Sequence, residues 1–157
     1  MAGHAVADVL SGDYNPSGKL VMTFPRNVGQ IPIFYNHQNT GRPFDEDNPA
    51  DYRFSYIDST NSPLVPFGYG LSYTTFDYSD AKISSKEMKP GESLKASVKV
   101  TNTGNMDGEE VVQLYIHDKV GSVVRPVKEL KGFQKIQLAA GETQTVEFTI
   151  DEEMLKM

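Results

Sequence analysis

The fold of this chain is decided by an alternating stretch, LKASVKV, at residues 94–100. Its apolar residues occupy every second position, with lysine or serine between them, which is the period of a β-strand that buries one face. The same period returns in VEFTI at residues 146–150. Both stretches therefore predict half-buried strands of a β-sheet.

Three further strands are expected around this stretch. Residues 76–83 and 112–116 show the pattern of strands, and residues 136–138 belong to another strand, before which Gly132 is expected to mark a bulge. Five strands without a helix predict a β-sandwich of the immunoglobulin type, which has about seven strands when complete. We therefore expect a marginally stable sandwich with an open strand edge that is prone to self-pairing.

The first 75 residues follow a different pattern. Residues 2–10 predict a short helix with Val6, Val9 and Leu10 on one face and Gly12 at the C-terminal end. A helix of this length is not stable alone in water, so its apolar face predicts a packing partner in a domain that precedes it. Residues 20–24 predict a short strand that a proline closes.

The region that follows is rich in proline and predicts an extended segment. Six prolines lie between residues 25 and 66, and so long an irregular run is unusual inside a small compact domain. We expect it to lie as a strap across a larger protein, held there by aromatic side chains. The aromatic candidates are Phe34, Tyr35, Tyr52, Phe54 and Tyr56.

Composition excludes several classes of function. The 157 residues include 15 basic and 21 acidic ones, spread along the chain, for a net charge of −6, which argues against a nucleic-acid-binding surface. The absence of cysteine excludes disulfides and thiolate metal sites. No apolar run approaches the roughly 18 residues of a membrane helix, and residues 1–10 do not predict a signal peptide. Neither a nucleic acid nor a membrane is expected as a partner.

Most motifs that could carry chemistry fail on inspection. GDYNPSGK at residues 12–19 differs from a phosphate-binding loop in its glycine spacing and in Leu20, where serine or threonine must reach the metal. The three histidines lie far apart in sequence, so no metal site is expected. The acidic residues at 45–51 lack the glycine and the terminal glutamate of a calcium loop, and a solvated acidic loop explains them better.

The loop NHQNTGR at residues 36–42 is the remaining candidate for ligand binding. It is dense in hydrogen-bonding side chains, and such loops can bind sugars, which makes His37 and Arg42 the candidate substrate-binding residues. Such side chains also commonly satisfy one another and the neighbouring backbone, and this structural role is favoured. Tyrosines are further candidates for stacking on a sugar, although most aromatic residues anchor a core.

Two groups of stretches, in order along the chain, carry a family resemblance. The first group comprises residues 8–20, 23–25, 28–32, 36–37 and 40–43, and the second residues 66–76, 100–104, 109–115 and 125–133. They resemble glycoside hydrolase family 3: the first group is similar to the end of that family's α/β-sandwich domain, and the second to its fibronectin type III-like domain and the junction before it.

The resemblance implies a mostly β chain with three parts. Residues 1–43 would be a remnant of the α/β-sandwich domain, residues 44–75 an extended strap, and residues 76–157 a fibronectin type III-like β-sandwich. Members of the family usually continue past the strand that ends at Ile150 with a further turn and strand, so the sandwich is expected to be truncated.

The resemblance also implies a function. Family members of the β-glucosidase type are retaining enzymes that remove β-linked glucose or a related sugar, with an aspartate nucleophile and a glutamate acid/base on domains upstream of this segment. No residue here matches either motif, so no catalytic residue and no cofactor are assigned, and the chain is expected to be inactive alone. Its expected partners are those upstream catalytic domains, and its expected compartment is the periplasm or the cell exterior.

Three functional hypotheses follow. In the first, the chain is an accessory part of the enzyme and acts as a structural buttress. In the second, the sandwich or the loop from His37 to Arg42 is a module that binds a β-glucoside or polysaccharide without catalysis. The third, a stand-alone interaction domain, leaves residues 1–75 unexplained.

Overall fold

A computed structural model describes residues 2–43 and 54–156. The strands are β1 (Phe76–Ile83), β2 (Leu94–Asn102), β3 (Gly108–Ile116), β4 (Glu129–Leu138) and β5 (Thr143–Ile150). The helices are α1 (Ala2–Ser11) and α2 (Glu152–Leu155), with a 3₁₀ turn at Val28–Gln30. The chain is thus mostly β. Within the described residues, neither helix has the length and apolar character that crossing a membrane requires.

The chain divides into two compact units. The first unit comprises Met1–Gly18, Gly70–Leu114 and Lys131–Met157, and the second comprises Lys19–Tyr69 and Tyr115–Leu130. The expected division into residues 1–43, 44–75 and 76–157 assigns each segment to a domain of the family. The two compact units do not test that assignment, and it stays a prediction.

The first unit is a sandwich of two sheets around one apolar core. β2 lies between β1 and β5 in an antiparallel sheet, and β3 pairs with β4 in a second sheet. The core combines side chains from both sheets. Its buried members are Val100, Val112, Ile136, Leu138 and Val146. Burial of such side chains stabilises the fold by about 1.5–3 kcal/mol each, and the five predicted strands are confirmed.

A bulge interrupts β1 at a position that the sequence pattern does not reveal. The register between β1 and β2 shifts between Ser79 and Lys82, and Asp80 has a φ of 52°. Aspartate tolerates this left-handed conformation better than most residues, and its carboxylate lies 2.8 Å from Lys99 Nζ. The bulge expected at Gly132 stays a prediction. A Cβ atom at that position would lie 3.3 Å from a ring atom of Phe148.

The predicted N-terminal helix is confirmed as α1. It ends at Ser11 because Gly12 adopts a φ of 84°, a conformation that favours glycine. Its apolar face is open in the chain, since Val6 and Leu10 are 58% and 78% exposed.

Two local predictions are wrong. Residues 20–24 do not form a strand, and their pairing is limited to an isolated bridge between Phe24 and Val65 and to backbone bonds of Leu20. Prolines at positions 25 and 66 lack the N–H groups that would extend this ladder. The expectation of no helix after residue 76 fails at α2, which forms because the Asp151 carboxylate accepts the N–H of Met154 and caps it.

Candidate functional site

A buried glutamine joins two segments of the second unit. Gln30 is 1% exposed, and its amide oxygen accepts the Arg26 N–H at 2.6 Å. Its amide nitrogen donates to the carbonyl oxygens of Thr60 and Ser62 at 2.8 and 3.2 Å. Arg26 Nε also donates to the Ser62 carbonyl. A single side chain thereby joins residues 26–30 to residues 60–62.

An asparagine closes the neighbouring loop. Asn61 Oδ1 accepts the backbone N–H of Tyr56 at 3.1 Å, and Asn61 Nδ2 donates to the carbonyl of Phe54 at 2.9 Å. The rings of Phe54 and Tyr56 meet edge to face, with centroids 6.2 Å apart. The two hydrogen bonds fix the backbone that carries this aromatic pair.

Aromatic stacking anchors the unit elsewhere. The ring of Tyr35 stacks on Phe67 with centroids 4.1 Å apart and meets the edge of Tyr115 at 6.0 Å. The Tyr35 hydroxyl accepts the N–H of Leu130, and the Lys128 ammonium lies 5.3 Å from the centre of the Tyr115 ring. Burial raises the pKa of Tyr115, and the neighbouring Tyr35 adds to that rise.

The backbone of the polar loop that starts at Asn36 is fixed against the connection between β3 and β4. The N–H of Val127 donates to the carbonyl of His37 at 2.9 Å, and Gln38 forms a β-bridge with Pro126. The loop is therefore positioned by backbone bonds, and these bonds do not use the side chains of Gln38 and its neighbours.

These elements surround a cavity of about 550 Å³ in the second unit. Its described lining consists of uncharged polar, proline and apolar or aromatic residues together with one histidine. They are Gln30, Pro32, Ile33, Phe34, His37, Gln38, Asn39, Thr40, Pro43, Phe54, Tyr56, Asn61, Ser62 and Pro63. Within the described residues, this lining has no carboxylate and no lysine or arginine. It does not supply the two carboxyl groups that glycoside hydrolysis needs.

The structure separates the two predicted binding residues. His37 lines the cavity, whereas Arg42 is not among the described lining residues, and its backbone carbonyl accepts the N–H of Phe54 at 3.2 Å. Their binding role stays a prediction. The acidic residues at 45–51 and Tyr52 lie outside the described residues. In the part that is described, no group of three or more potential metal ligands occurs.

A second polar cluster, in the first unit, joins the N-terminal segment to the sandwich. Asn15 Nδ2 donates to the Asp107 carbonyl at 2.9 Å, and Asn15 Oδ1 accepts from Ser72 Oγ and the Tyr73 N–H at 2.9 and 2.8 Å. The Tyr73 hydroxyl donates to the carbonyl of Val9 in α1 at 2.7 Å. We call these contacts the Asn15 clasp.

An ion pair flanks this clasp. Lys135 Nζ lies 2.7 Å from Glu109 Oε2, which also accepts the hydroxyls of Ser17 and Tyr14 at 3.1 and 3.2 Å. The hydrogen bond from Lys135 is the main reason that the pKa of Glu109 lies below its ordinary value. The same contact raises the pKa of Lys135.

Two further polar side chains make hydrogen bonds within the sandwich. Asn102 is fully buried, accepts the Thr74 hydroxyl at 2.6 Å and donates to the carbonyls of Met106 and Leu138. Tyr78 donates to Glu110 Oε1 at 2.9 Å. Burial, reinforced by that hydrogen bond, raises the pKa of Tyr78.

Sequence reasoning did not find Gln30, Asn15 or Asn102. Each has hydrogen-bond partners that lie far away in the sequence, up to 92 positions in the case of Asn15. The only sequence features that mark two of these residues are the motifs around them, NPSG for Asn15 and VTNTG for Asn102. Such motifs predict turns and do not reveal distant partners.

Two family models match the chain. The model of the glycosyl hydrolase family 3 C-terminal domain matches residues 1–73, and that of the fibronectin type III-like domain matches residues 110–157. The sandwich and the segment clasped to it thus define the C-terminal region of a glycoside hydrolase.

Known relatives extend this match over nearly the whole chain. A periplasmic beta-glucosidase from Salmonella typhimurium is 57% identical over 98% of the chain, and a beta-xylosidase from Formosa agariphila is 48% identical over 95%. A crystal structure of a beta-glucosidase from Listeria innocua in complex with isofagomine superposes with a TM-score of 0.89 at 49% identity, over 98% of the chain and 21% of that protein. The chain spans about one fifth of the length of these relatives. It belongs to glycosyl hydrolase family 3, and it corresponds to the C-terminal part of these enzymes.

Proposed function

We propose that this chain is the accessory C-terminal portion of a retaining β-glucosidase and that it acts as a structural buttress for upstream catalytic domains. The Asn15 clasp is the observation that carries the proposal. It ties residues matched by the glycosyl hydrolase family 3 C-terminal domain to the loop that precedes β3 of the sandwich. The bond from Asn15 Nδ2 to the Asp107 carbonyl joins segments 92 residues apart, and two further bonds join Asn15 Oδ1 to Ser72 and Tyr73.

The exposed face of α1 supports the same role. Among the described residues, no packing partner buries Val6 and Leu10, and a ten-residue helix is stable in proteins mainly through the packing of its apolar face. We propose that the upstream catalytic domain of the same polypeptide covers this face. The proposed compartment is the periplasm or the cell exterior, in line with the relative from Salmonella typhimurium.

The proposed reaction is hydrolysis of the O-glycosidic bond of β-glucosides by the whole enzyme, with both catalytic carboxyl groups supplied upstream. The sugar preference is left open, since relatives of similar identity include a beta-glucosidase and a beta-xylosidase.

The intact mass of the native protein, detected through this segment in its source, tests the proposal. A species several times heavier than 17.4 kDa that cleaves an aryl β-glucoside is expected. A native species of 17.4 kDa would contradict the buttress role, since no catalytic domain would then be present to support.

A variant of the clasp tests the buttress role itself. Asn15→Ala removes three hydrogen bonds and should destabilise the native enzyme by about 1–3 kcal/mol. Resistance to heat inactivation should fall while kcat/KM at low temperature is unchanged. Asn105→Ala, on an exposed loop residue of the same sandwich, is the matched control. A loss of kcat/KM without a loss of stability would contradict a purely supporting role.

A further inference from the structure

The two outer faces of the sandwich in the first unit differ in their chemistry. Along β2 and β5, buried residues such as Val100 and Val146 point to the core, so the residues between them point outwards. All of these outward residues are polar, and such a face is suited to contact with water. They are Lys95, Ser97, Lys99, Thr101, Thr143, Thr145, Glu147 and Thr149.

The outer face of the second sheet carries an exposed phenylalanine instead. Ile136 of β4 is buried, and a Cβ atom at Gly132 would lie 3.3 Å from the ring of Phe148 in the other sheet, so these positions point to the core. Phe133 and Lys135 alternate with them and therefore point outwards. Phe133 is 67% exposed, more than any other phenylalanine in the part of the chain that the structure describes.

The N-terminal segment lies on the same outer face. The ammonium of the outward Lys135 lies 2.7 Å from the carboxylate of Glu109 on β3, and the hydroxyls of Tyr14 and Ser17 donate to that carboxylate. Phe133 is two residues from Lys135 along β4, which places their Cα atoms about 7 Å apart. Tyr14, which is 47% exposed, and Phe133 thus belong to one face of the sandwich.

This face is within reach of any domain that covers α1. The N–H of Tyr14 donates to the carbonyl of Asp8 at 3.0 Å, which fixes the last turn of α1 to the segment on the sandwich. A helix of ten residues is about 15 Å long, so the exposed side chains of Val6 and Leu10 lie within about that distance of Tyr14. One body of domain size can therefore cover α1 and Phe133 together.

We infer that the outer face around Tyr14 and Phe133 is a docking surface for the catalytic domain proposed upstream in the same polypeptide, and that Phe133 inserts into an apolar pocket of that domain. The inference rests on the proposed function for the presence of such a domain, and it adds a second contact besides α1. Continuity with the apolar face of α1 favours this occupant over a second copy of the chain. The sandwich then holds the catalytic domain at two places, while its polar face stays in water.

Photo-crosslinking of the protein at its native length tests the contact directly. In the variant Phe133→p-benzoylphenylalanine, illumination should join position 133 to a peptide that precedes this segment, as identified by mass spectrometry of the digest. The matched control is Thr145→p-benzoylphenylalanine, at an exposed position of the polar face, and it should give no such product. Absence of a crosslink at position 133, or crosslinks only to residues of this segment, would overturn the inference.

A truncation of the same side chain tests whether the contact stabilises the enzyme. Phe133→Ala should shorten the half-life of heat inactivation by about tenfold, the effect expected when a buried aromatic side chain is lost from a contact, while kcat/KM at low temperature is unchanged. Ile83→Ala removes an apolar side chain that is 52% exposed on β1 of the other sheet and should leave the half-life nearly unchanged. Equal half-lives of the two variants would contradict a docked Phe133.

Failure of this contact is distinguishable from failure of the proposed function. If the native protein is several times heavier than 17.4 kDa and cleaves an aryl β-glucoside, but position 133 links to no preceding peptide, only the docking surface is refuted. If the native mass is 17.4 kDa, the proposed function fails as well. A crosslinked product of twice the native mass would identify a second copy as the occupant and would overturn the inference.

Discussion

In the first unit the core consists of apolar side chains on strands, whereas in the second unit the one buried residue of the described part is a glutamine. Leu138 and Val100 are fully buried between the two sheets, and Gln30 is 1% exposed among loops. Apolar contacts are non-directional and follow the strand period, while the amide of Gln30 bonds to particular backbone atoms. The two units therefore depend on different forces, and substitutions should affect them differently.

The largest effect is expected for Leu138→Ala. This side chain is fully buried between the sheets, and its truncation leaves a cavity that should lower the free energy of unfolding by about 2–5 kcal/mol. Urea unfolding followed by circular dichroism measures the change. Leu71→Ala, at a position that is 70% exposed in the same unit, should change it by less than about 0.5 kcal/mol. Equal effects of the two variants would contradict the assignment of the core.

The second prediction concerns the glutamine of the other unit. Gln30→Ala removes the acceptor of the Arg26 N–H and one donor to the carbonyl of Thr60, which should destabilise the second unit by about 1–3 kcal/mol. Hydrogen exchange of the Arg26 and Leu64 amides should accelerate, while amides of β2 and β5 exchange as before.

The control for Gln30→Ala changes Gln38, the other glutamine among the described residues that line the cavity. Gln38→Ala removes an exposed side chain that bonds to no described residue, so exchange of the same amides should not change. If Gln30→Ala accelerates exchange in β2 and β5 as strongly as in the second unit, the hydrogen bonds of Gln30 do not stabilise the second unit selectively.

The same difference explains how much of the fold was predictable. Residues 94–100 and 146–150 show their period directly in the sequence, so β2 and β5 were found within a few residues. The bulge at Asp80 was not, because a left-handed residue leaves no trace in hydrophobic periodicity. The strand expected at residues 20–24 does not form, because the prolines beside the bridge between Phe24 and Val65 lack the N–H groups that would extend the pairing. Strand propensity within residues 20–24 does not reveal this pairing partner.

The candidate site was predictable only in part. The density of polar residues around His37 indicated a binding loop, and His37 does line the cavity. The hydrogen-bond partners of the Gln30 side chain lie up to 32 positions away from it. Such pairings are decided by the tertiary structure, and a single sequence does not carry them.

A third and smaller effect separates two contributions of Tyr35. Tyr35→Phe keeps the stack on Phe67 and removes only the hydroxyl that accepts the Leu130 N–H. It should cost no more than about 1 kcal/mol, because that hydrogen bond is long at 3.3 Å. Tyr35→Leu also removes the stack and should cost about 0.5–1.5 kcal/mol more. Thermal unfolding of the three proteins measures both steps, and equal stability of the two variants would show that the stack contributes nothing.

The smallest effect is expected at the ion pair between Glu109 and Lys135, which is exposed to solvent and screened by salt. Because the pKa of Glu109 in the folded chain lies below its ordinary value of 4.5, the stabilisation it provides is present above that pH and is lost as the pH falls through the lowered pKa. The raised pKa of Lys135 limits the same stabilisation at high pH. There the stabilisation is present below the ordinary value of 10.5 and is lost as the pH rises through the folded pKa.

Lys135→Gln should therefore raise the pKa of Glu109 in an NMR titration. In this variant burial still raises the pKa of Glu109, and the hydroxyls of Ser17 and Tyr14 still lower it. Lys86→Gln, at an exposed position outside this contact, should leave the pKa of Glu109 unchanged, and an equal shift in both variants would mean that general charge acts on the carboxylate in place of the paired ammonium.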